Sequence, residues 1–320
     1  MQTGEFFNLS ADGSRLAYTR EYHYSDLWQV RWQSVVGAKP EIKRLTSGTS
    51  YYNAPSFSPD GRWISFALGP NAAETNIYKM PSGGGEPVQL TYFEHAITAS
   101  PAWSPDGQRI AFVSDQNGTP RVWMISANGG TPQPLEKTNA SNTNYNLAWW
   151  PSNEVVYQKA GNRNFLRVND KAQTEESIIQ NDEPKGWVPS KPIFSPDGKR
   201  LAVYWNRHAG EGLWIVSLEP YSETLVQPQM MPFGWSPDGK QVYAVRGIES
   251  QREIVTIRVA SPNEVVSIAT LPGDVAAFWC GLPSLSPGGG QIIASLAEEK
   301  SDVWLMENFD PSLRATKPQP

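Results

Sequence analysis

Side chains that could carry chemistry are few and scattered in this chain of 320 residues. It contains one cysteine, Cys280, and three histidines, His23, His95 and His208. A zinc site needs three or four ligands, mostly His or Cys, and no spacing in this set suggests one. A serine nucleophile needs a positioned base, and the Gly-x-Ser-x-Gly turn that often presents it is absent from the sequence. From these side chains we predict no catalytic residue, no metal ligand set and no cofactor.

Charge and hydrophobicity argue against several further classes of function. The chain carries 27 Lys and Arg against 32 Asp and Glu, a net charge of −5, without a basic cluster. It therefore lacks the positive surface that nucleic acids and anionic membranes require. Its apolar stretches are shorter than the roughly 18–20 residues that cross a bilayer, and residues 1–10 do not have the pattern of a signal peptide. We expect no nucleic-acid binding and no membrane insertion by this chain.

An internal repeat sets the elements that must position any site. A Ser-Pro-Asp-Gly turn, or a near or eroded copy of it, starts at seven positions: Ser10, Ser58, Ser104, Trp150, Ser195, Ser236 and Ser286. Neighbouring copies are 41–50 residues apart, which is close to the period of a four-stranded propeller blade. Proline presets φ in this turn, and glycine accepts the left-handed conformation that closes a hairpin. The turns are therefore predicted to be scaffold.

Each repeat has the pattern of short strands joined by turns. An apolar residue precedes the turn, and an alternating run such as residues 110–113 (Ile-Ala-Phe-Val) follows it. A strand with a bulky centre comes next, and several repeats end in a short outer strand. We predict an all-β, seven-bladed β-propeller of four-stranded antiparallel blades, with six complete blades and a last blade that is incomplete or closes differently. Residues 1–310 would form this single domain, and residues 311–320 a tail.

The eroded fourth turn gives a separate expectation about stability. Valine at Gly107 should cost about 1–3 kcal/mol through backbone strain. Asn153 occupies the corresponding place in the fourth copy, where the consensus is already lost. We therefore expect Asn153 to tolerate valine better than Gly107 does.

The repeats resemble the TolB-type propeller repeats of bacteria, a WD40-like family. Residues 55–91 and 101–136 match that consensus nearly throughout, and residues 281–290 and 300–309 are similar to the closing blade of one particular group. That group comprises the C-terminal sensor-like propellers of bacterial winged-helix regulators and membrane-anchored Ser/Thr kinases. The resemblance implies a sensor or scaffold module of a signalling or envelope protein, often periplasmic, that binds a ligand or protein. Output elements would lie outside this sequence, which itself indicates no localisation.

Candidate ligand-binding residues are found where the repeats depart from one another. The linkers into the inner strands and some loops between second and third strands are rich in aromatic and amide side chains, and such segments gather on one face of a propeller, around its channel. Aromatic platforms with a few polar groups are typical of ligand pockets. The predicted binding residues are Tyr51, Tyr52, His95, Tyr145, Trp187, Arg207, His208 and Trp279. A protein segment or small polar ligand would bind there to a monomer; alternatively, the rings fill the channel as core.

The second alternative is an enzyme. Some propeller lyases that act on acidic sugars hold a central metal with several histidines, and His95 and His208 could both face the channel. A carbohydrate lyase or hydrolase of this kind would also need carboxylates nearby, for which Glu94 and Asp182 are the main candidates.

Overall fold

The computed structural model describes residues 7–32, 39–135, 143–159, 164–169, 174–179, 188, 190–207, 209–247, 252–270 and 282–307. These residues form strands, turns and bends, and none of them lies in a helix. The predicted all-β propeller of four-stranded antiparallel blades is confirmed. Five blades are antiparallel meanders whose strands pair in chain order.

The bounds of these strands follow the repeats. Blade II contains β4 (Tyr51–Phe57), β5 (Trp63–Asn71), β6 (Glu74–Pro81) and β7 (Val88–Gln89). Blade III contains β8 (Thr98–Trp103), β9 (Arg109–Ser114), β10 (Arg121–Ser126) and β11 (Gln133–Pro134). Blade IV contains β12 (Thr143–Trp150), β13 (Glu154–Lys159), β14 (Phe165–Asn169) and β15 (Thr174–Ser177). Blade V contains β16 (Ile193–Phe194), β17 (Arg200–Arg207), β18 (Gly210–Leu218) and β19 (Tyr221–Pro228). Blade VI contains β20 (Met231–Trp235), β21 (Gln241–Arg246), β22 (Glu253–Arg258) and β23 (Ser261–Thr270).

The remaining sheet joins both ends of the chain. It contains β1 (Phe7–Leu9), β2 (Arg15–Arg31), β3 (Glu41–Arg44), β24 (Ser284–Leu285) and β25 (Gln291–Glu307), and the long strands β2 and β25 pair along their full length. Blade I consists of β24, residues 291–297 of β25, residues 24–31 of β2, and β3. Beyond blade I, β1, residues 15–19 of β2 and residues 303–307 of β25 form what we call the projecting sheet.

The described residues form six sheets and not the seven blades predicted from the repeats. The difference arises because the second and third strands of the first repeat run together as β2, and those of the last repeat run together as β25. Residues 22–24, predicted to be a loop, lie within β2. The first and last repeats therefore share one sheet, which is how the last blade closes.

Packing between the blades shows that the ring closes with six members. The described core consists of six hydrophobic clusters, and each lies between two neighbouring blades. Blades VI and I meet through Phe233 and Ile292, and blades I and II through Ile293 and Phe57. None of the six clusters contains a residue of the projecting sheet. That sheet consequently stands outside the ring.

Tryptophans before the turns connect neighbouring blades. The indole Nε1 of Trp149 donates to the Ala102 carbonyl at 2.9 Å, and that of Trp235 donates to the Ile193 carbonyl at 2.9 Å. Each acceptor lies two residues before the first residue of the preceding blade's turn. The same bond therefore recurs between different pairs of blades. These rings pack between blades, as expected for large side chains in stacked sheets.

The turns are built alike. In the third copy, Ser104 Oγ donates to Asp106 Oδ1 at 2.6 Å, the Gln108 amide donates to the same carboxylate at 2.9 Å, and Gly107 has φ of 70°. Asn153 in the eroded copy has φ of 71°. Because Asn153 adopts the left-handed conformation of the glycines, the structure contradicts the expectation that its loss of consensus frees it from that constraint.

Candidate functional site

The two faces of the ring have different components. The Ser-Pro-Asp-Gly turns join first to second strands and lie on one face, which we call the turn face. The linkers into the inner strands and the loops between second and third strands lie on the opposite face, the funnel face. The inner strands β4, β8, β12, β16, β20 and β24 surround the channel, and β4 contacts both β8 and β24.

Hydroxyl groups fix the linkers on the funnel face. Ser25 Oγ donates to the Tyr52 carbonyl at 2.6 Å and accepts from the Tyr52 amide at 2.8 Å. Thr75 repeats this pair of bonds with the backbone of Thr98 in the next blade. These buried bonds satisfy backbone groups that the ladders leave open, so the walls of the channel mouth are held in place.

Two of the predicted binding residues are tyrosines at the start of β4. Tyr51 is half-buried, and its hydroxyl accepts a long hydrogen bond of 3.4 Å from Asn53 Nδ2. Tyr52 is buried in the core between blades I and II, with its ring 5.6 Å from that of Phe66. Alternation along the strand points this ring into the sheet interface and away from the channel mouth, where the sequence predicted a binding residue.

His95 and Arg207 are held by carboxylates. His95 lies at the rim with 87% of its side chain exposed, and its Nδ1 is 3.0 Å from Glu74 Oε1. That hydrogen bond and the carboxylate's charge raise the pKa of His95. Arg207 is 11% exposed, stacks on Trp205 at 4.4 Å and pairs with Glu223. This guanidinium is already occupied by a partner in its own blade.

The other predicted residues stay predictions. The Tyr145 side chain, Trp187, His208 and Trp279 lie outside the described residues.

One residue that sequence reasoning missed is Lys191, on the segment that leads into β16. The neighbouring Ser190 is buried and accepts the Tyr204 amide hydrogen at 3.0 Å, which anchors this segment to the second strand of blade V. Burial lowers the pKa of Lys191 to about 8, although part of its surface remains accessible. Because the segment leads into the inner strand β16, Lys191 lies beside the channel.

Lys191 has no charge partner in the described part of the chain. No described carboxylate lies within ion-pair distance of its amine, and desolvation is the one cause of its lowered pKa. An unpaired cation in a low-dielectric setting is unfavourable unless something compensates it. The site is thus positively charged and uncompensated by the described residues.

The repeats contain a signal that could have identified Lys191. An x-Pro-x-apolar pattern ends several inner strands, and Lys191 precedes Pro192 as Ala54 precedes Pro55 and Ser100 precedes Pro101. Aligning the repeats on the turn therefore places a cation where blades II and III have small neutral residues.

Amide groups lie at the corresponding level of other blades. Asn146 Nδ2 donates to Gln158 Oε1 at 2.9 Å, and Gln158 Nε2 donates to the Val188 carbonyl at 3.2 Å. Asn53 Oδ1 is buried without a hydrogen-bond partner. Asn53 belongs to blade II, which is opposite blade V in a ring of six. The inner strands β4 and β12 thus contribute the amide residues Asn53 and Asn146.

The clefts on the turn face are scaffold by contrast. One of them, of about 430 Å³, lies between blades IV and V and is lined by Trp150, Arg167 and Glu176 among others. Arg167 stacks on Trp150 at 4.9 Å and pairs with Glu154 and Glu176. These polar groups therefore satisfy one another.

Metal chemistry finds no support in the described ranges. They contain no group of three or more His, Cys, Asp or Glu side chains that could hold an ion. A search of the same ranges also found no helix long and apolar enough to cross a membrane.

The described strands and the packing of their sheets define a β-propeller. The family described as TolB beta propeller domain matches residues 7–189, more than half of the chain. The chain belongs to this family.

Comparison with individual proteins agrees with this assignment. The chain is 24% identical over 268 residues to the uncharacterized peptidase YuxL of Bacillus subtilis, covering 79% of this chain and 31% of YuxL. It is 29% identical over 193 residues to the Tol-Pal system protein TolB of Francisella tularensis, covering 57% of this chain and 42% of TolB. The chain thus spans less than half the length of either relative. The structure of a putative TolB from Agrobacterium tumefaciens superposes with a TM-score of 0.65 at 17% identity, covering 86% of this chain and 98% of that one.

Proposed function

We propose that this chain is a non-catalytic binding module that takes the anionic group of a small ligand or protein segment at the funnel-face mouth of its channel, with Lys191 as the counter-charge. The observation that carries the proposal is an enclosed amine without a carboxylate partner among the described residues. An incoming carboxylate or phosphate would supply the missing charge, and charge-assisted hydrogen bonds are stronger than neutral ones.

The channel wall supports a polar ligand in particular. The unpaired Oδ1 of Asn53 can accept a hydrogen bond, and the half-buried ring of Tyr51 offers an apolar surface beside it. One cation, an amide and an aromatic surface suffice to orient a small anionic group. Tyr145, Trp187, His208 and Trp279 would extend this surface.

The biological role follows from the family. One relative is named as a component of the Tol-Pal system, and by analogy we propose a sensor or scaffold role in a bacterial signalling or envelope protein. Residues 1–310 would act as one unit.

An enzymatic role is the second candidate, because another relative is named as a peptidase. The carbohydrate lyase or hydrolase alternative would need a metal site built partly from residues outside the described ranges. Native mass spectrometry before and after a chelator separates these possibilities. A divalent metal bound in stoichiometric amount would favour the enzyme, whereas a bound organic anion without metal would favour the sensor.

Calorimetric titration with citrate and with inorganic phosphate tests the binding proposal directly. We expect Lys191→Met to weaken binding of whichever probe the wild type holds by roughly tenfold or more, the effect of losing a charge-assisted bond. Lys199→Met is the matched control. Lys199 is exposed and directly follows the turn that starts at Ser195, which lies on the turn face and away from the channel mouth. Equal affinities for wild type and Lys191→Met, or an equal loss in both variants, would remove Lys191 from the site.

A further inference from the structure

The projecting sheet is the one described part of the sheet system that the ring does not cover. The last third of β25 keeps its large side chains exposed, with Trp304 48% and Met306 45% accessible, and Phe7 of β1 is 76% accessible. β25 runs away from the turn at residues 286–289, so its continuation beyond blade I rises from the funnel face. Blades within the ring bury such side chains between neighbours.

The register of the strands divides the projecting sheet into two unlike faces. Residues directly opposite each other in an antiparallel pair share a face. One face carries two rows of apolar side chains, namely Phe7, Tyr18 and Trp304 in the first and Leu9, Leu16 and Met306 in the second. We call these six residues the apolar grid.

The opposite face is mixed in polarity. It carries Asn8, Thr19 and the exposed ion pair between Arg15 and Glu307, together with Val303, Leu305 and Ala17. The ion pair between Arg15 and Glu307 thus lies away from the apolar grid. Covering the six grid residues leaves that pair in water, whereas covering the mixed face would desolvate it.

We infer that the apolar grid is the contact surface for a second copy of this chain, with the two grids packed face to face around a two-fold axis. An isologous contact requires a surface that complements itself, and a neutral grid of two three-residue rows meets that requirement. Two sheet faces of this kind pack about 10 Å apart with their side chains interdigitated.

The area of the grid is sufficient for a specific contact. From the exposed fractions and the usual size of such side chains, the grid would bury on the order of 500 Å² per copy. A pair would then bury about 1,000 Å² in total, which is the lower bound for a stable interface. A smaller or charged partner surface would leave part of the grid exposed. The sequence predicts a monomer because a closed ring of blades buries its own core. The projecting sheet lies outside that ring, so this reason does not apply to it.

Sedimentation velocity over a range of concentrations tests the inference, using two neighbouring residues of β25 that face opposite ways. We expect wild type to associate to a dimer, and Met306→Lys to weaken that association by roughly tenfold or more because it buries an unpaired charge. Leu305→Lys is the matched control on the mixed face, where Leu305 is 58% exposed. It should leave the dimer intact.

Three other outcomes would overturn the inference. A wild type that stays monomeric, with both variants melting at lower temperature, would mean that the sheet is inserted between blades as a seventh blade. A monomer whose melting temperature neither substitution changes would mean that the grid faces solvent. Equal weakening of a dimer by both substitutions would place the contact elsewhere on the sheet. The outcome does not depend on anion binding at Lys191, so the two proposals fail separately.

Discussion

Replacing Lys191 with methionine removes a buried positive charge while keeping a side chain of similar length. Burial lowers the pKa of Lys191 from 10.5 to about 8. Each unit of such a shift corresponds to about 1.4 kcal/mol, so the charged amine costs the folded state about 3 kcal/mol. Lys191→Met should therefore raise the free energy of unfolding at pH 7 by about 3 kcal/mol.

The pH dependence distinguishes this explanation from a general packing effect. Below pH 8 the amine is protonated in both the folded and the unfolded state, and the full penalty is present. Between about pH 8 and pH 10.5 the folded state releases its proton first, so the unfolded state binds more protons and wild-type stability rises with pH. Above that window the amine is neutral in both states. The advantage of Lys191→Met should therefore shrink from about 3 kcal/mol at pH 7 towards zero near pH 10.5.

Urea unfolding at several pH values measures this difference, in buffers free of polyvalent anions that would stabilise the wild type by binding. The entropy of unfolding of a chain this long makes 1 kcal/mol worth about 1.5–2 °C, so the melting temperature should rise by about 5 °C at pH 7. Lys199→Met, on an exposed side chain, should follow the wild type. A difference between Lys191→Met and wild type that is the same at pH 7 and pH 10, or a less stable variant, would refute the reasoning.

Three further predictions concern the scaffold and the rim. Gly107→Val and Asn153→Val should each cost about 1–3 kcal/mol, since both positions have φ near 70°; in thermal melts, a clearly smaller loss at Asn153 would contradict this. Trp149→Phe should cost about 1–2 kcal/mol in urea unfolding by leaving a carbonyl of the preceding blade without its donor. In an NMR titration His95 should show a pKa above 6.5 that falls in Glu74→Gln, because the carboxylate favours the charged ring; an unchanged midpoint would mean that the pair does not persist in solution.

The fold could be predicted because the same turn and the same strand pattern recur along the chain. The turn at Ser104 and its copies fix the hairpins, and alternation after each turn fixes the second strand. The sequence did not predict that the first and last repeats share one sheet. Residues 22–24 fall where other repeats have a loop between the second and third strands, yet pairing with β25 extends them as strand. That choice depends on a partner strand more than 270 residues away, which local propensity does not contain.

The candidate site was harder to predict for a different reason. Tyr51 and Tyr52 are neighbours of the same type, and only their positions in the pleat separate a half-buried ring at the mouth from a ring in the core. Arg207 looked like a cation available to a ligand, but its guanidinium pairs with Glu223 on the outer strand of the same blade. Composition identifies which side chains are present on a face, whereas availability depends on what the opposing strand supplies.

Lys191 illustrates where function is to be sought in a repeat protein. The same position in blades II and III is occupied by Ala54 and Ser100, so a small neutral residue suffices there. Burial lowers the pKa of Lys191, so its charged amine is a poor choice for stability alone. The turns show the opposite relation, because each copy that departs from Ser-Pro-Asp-Gly keeps the left-handed conformation at its fourth residue, namely Gly13, Asn153 and Gly289. The repeated residues are therefore the ones that stabilise the ring. Lys191 of blade V departs from the repeat without stabilising the ring, which is why we assign it to binding.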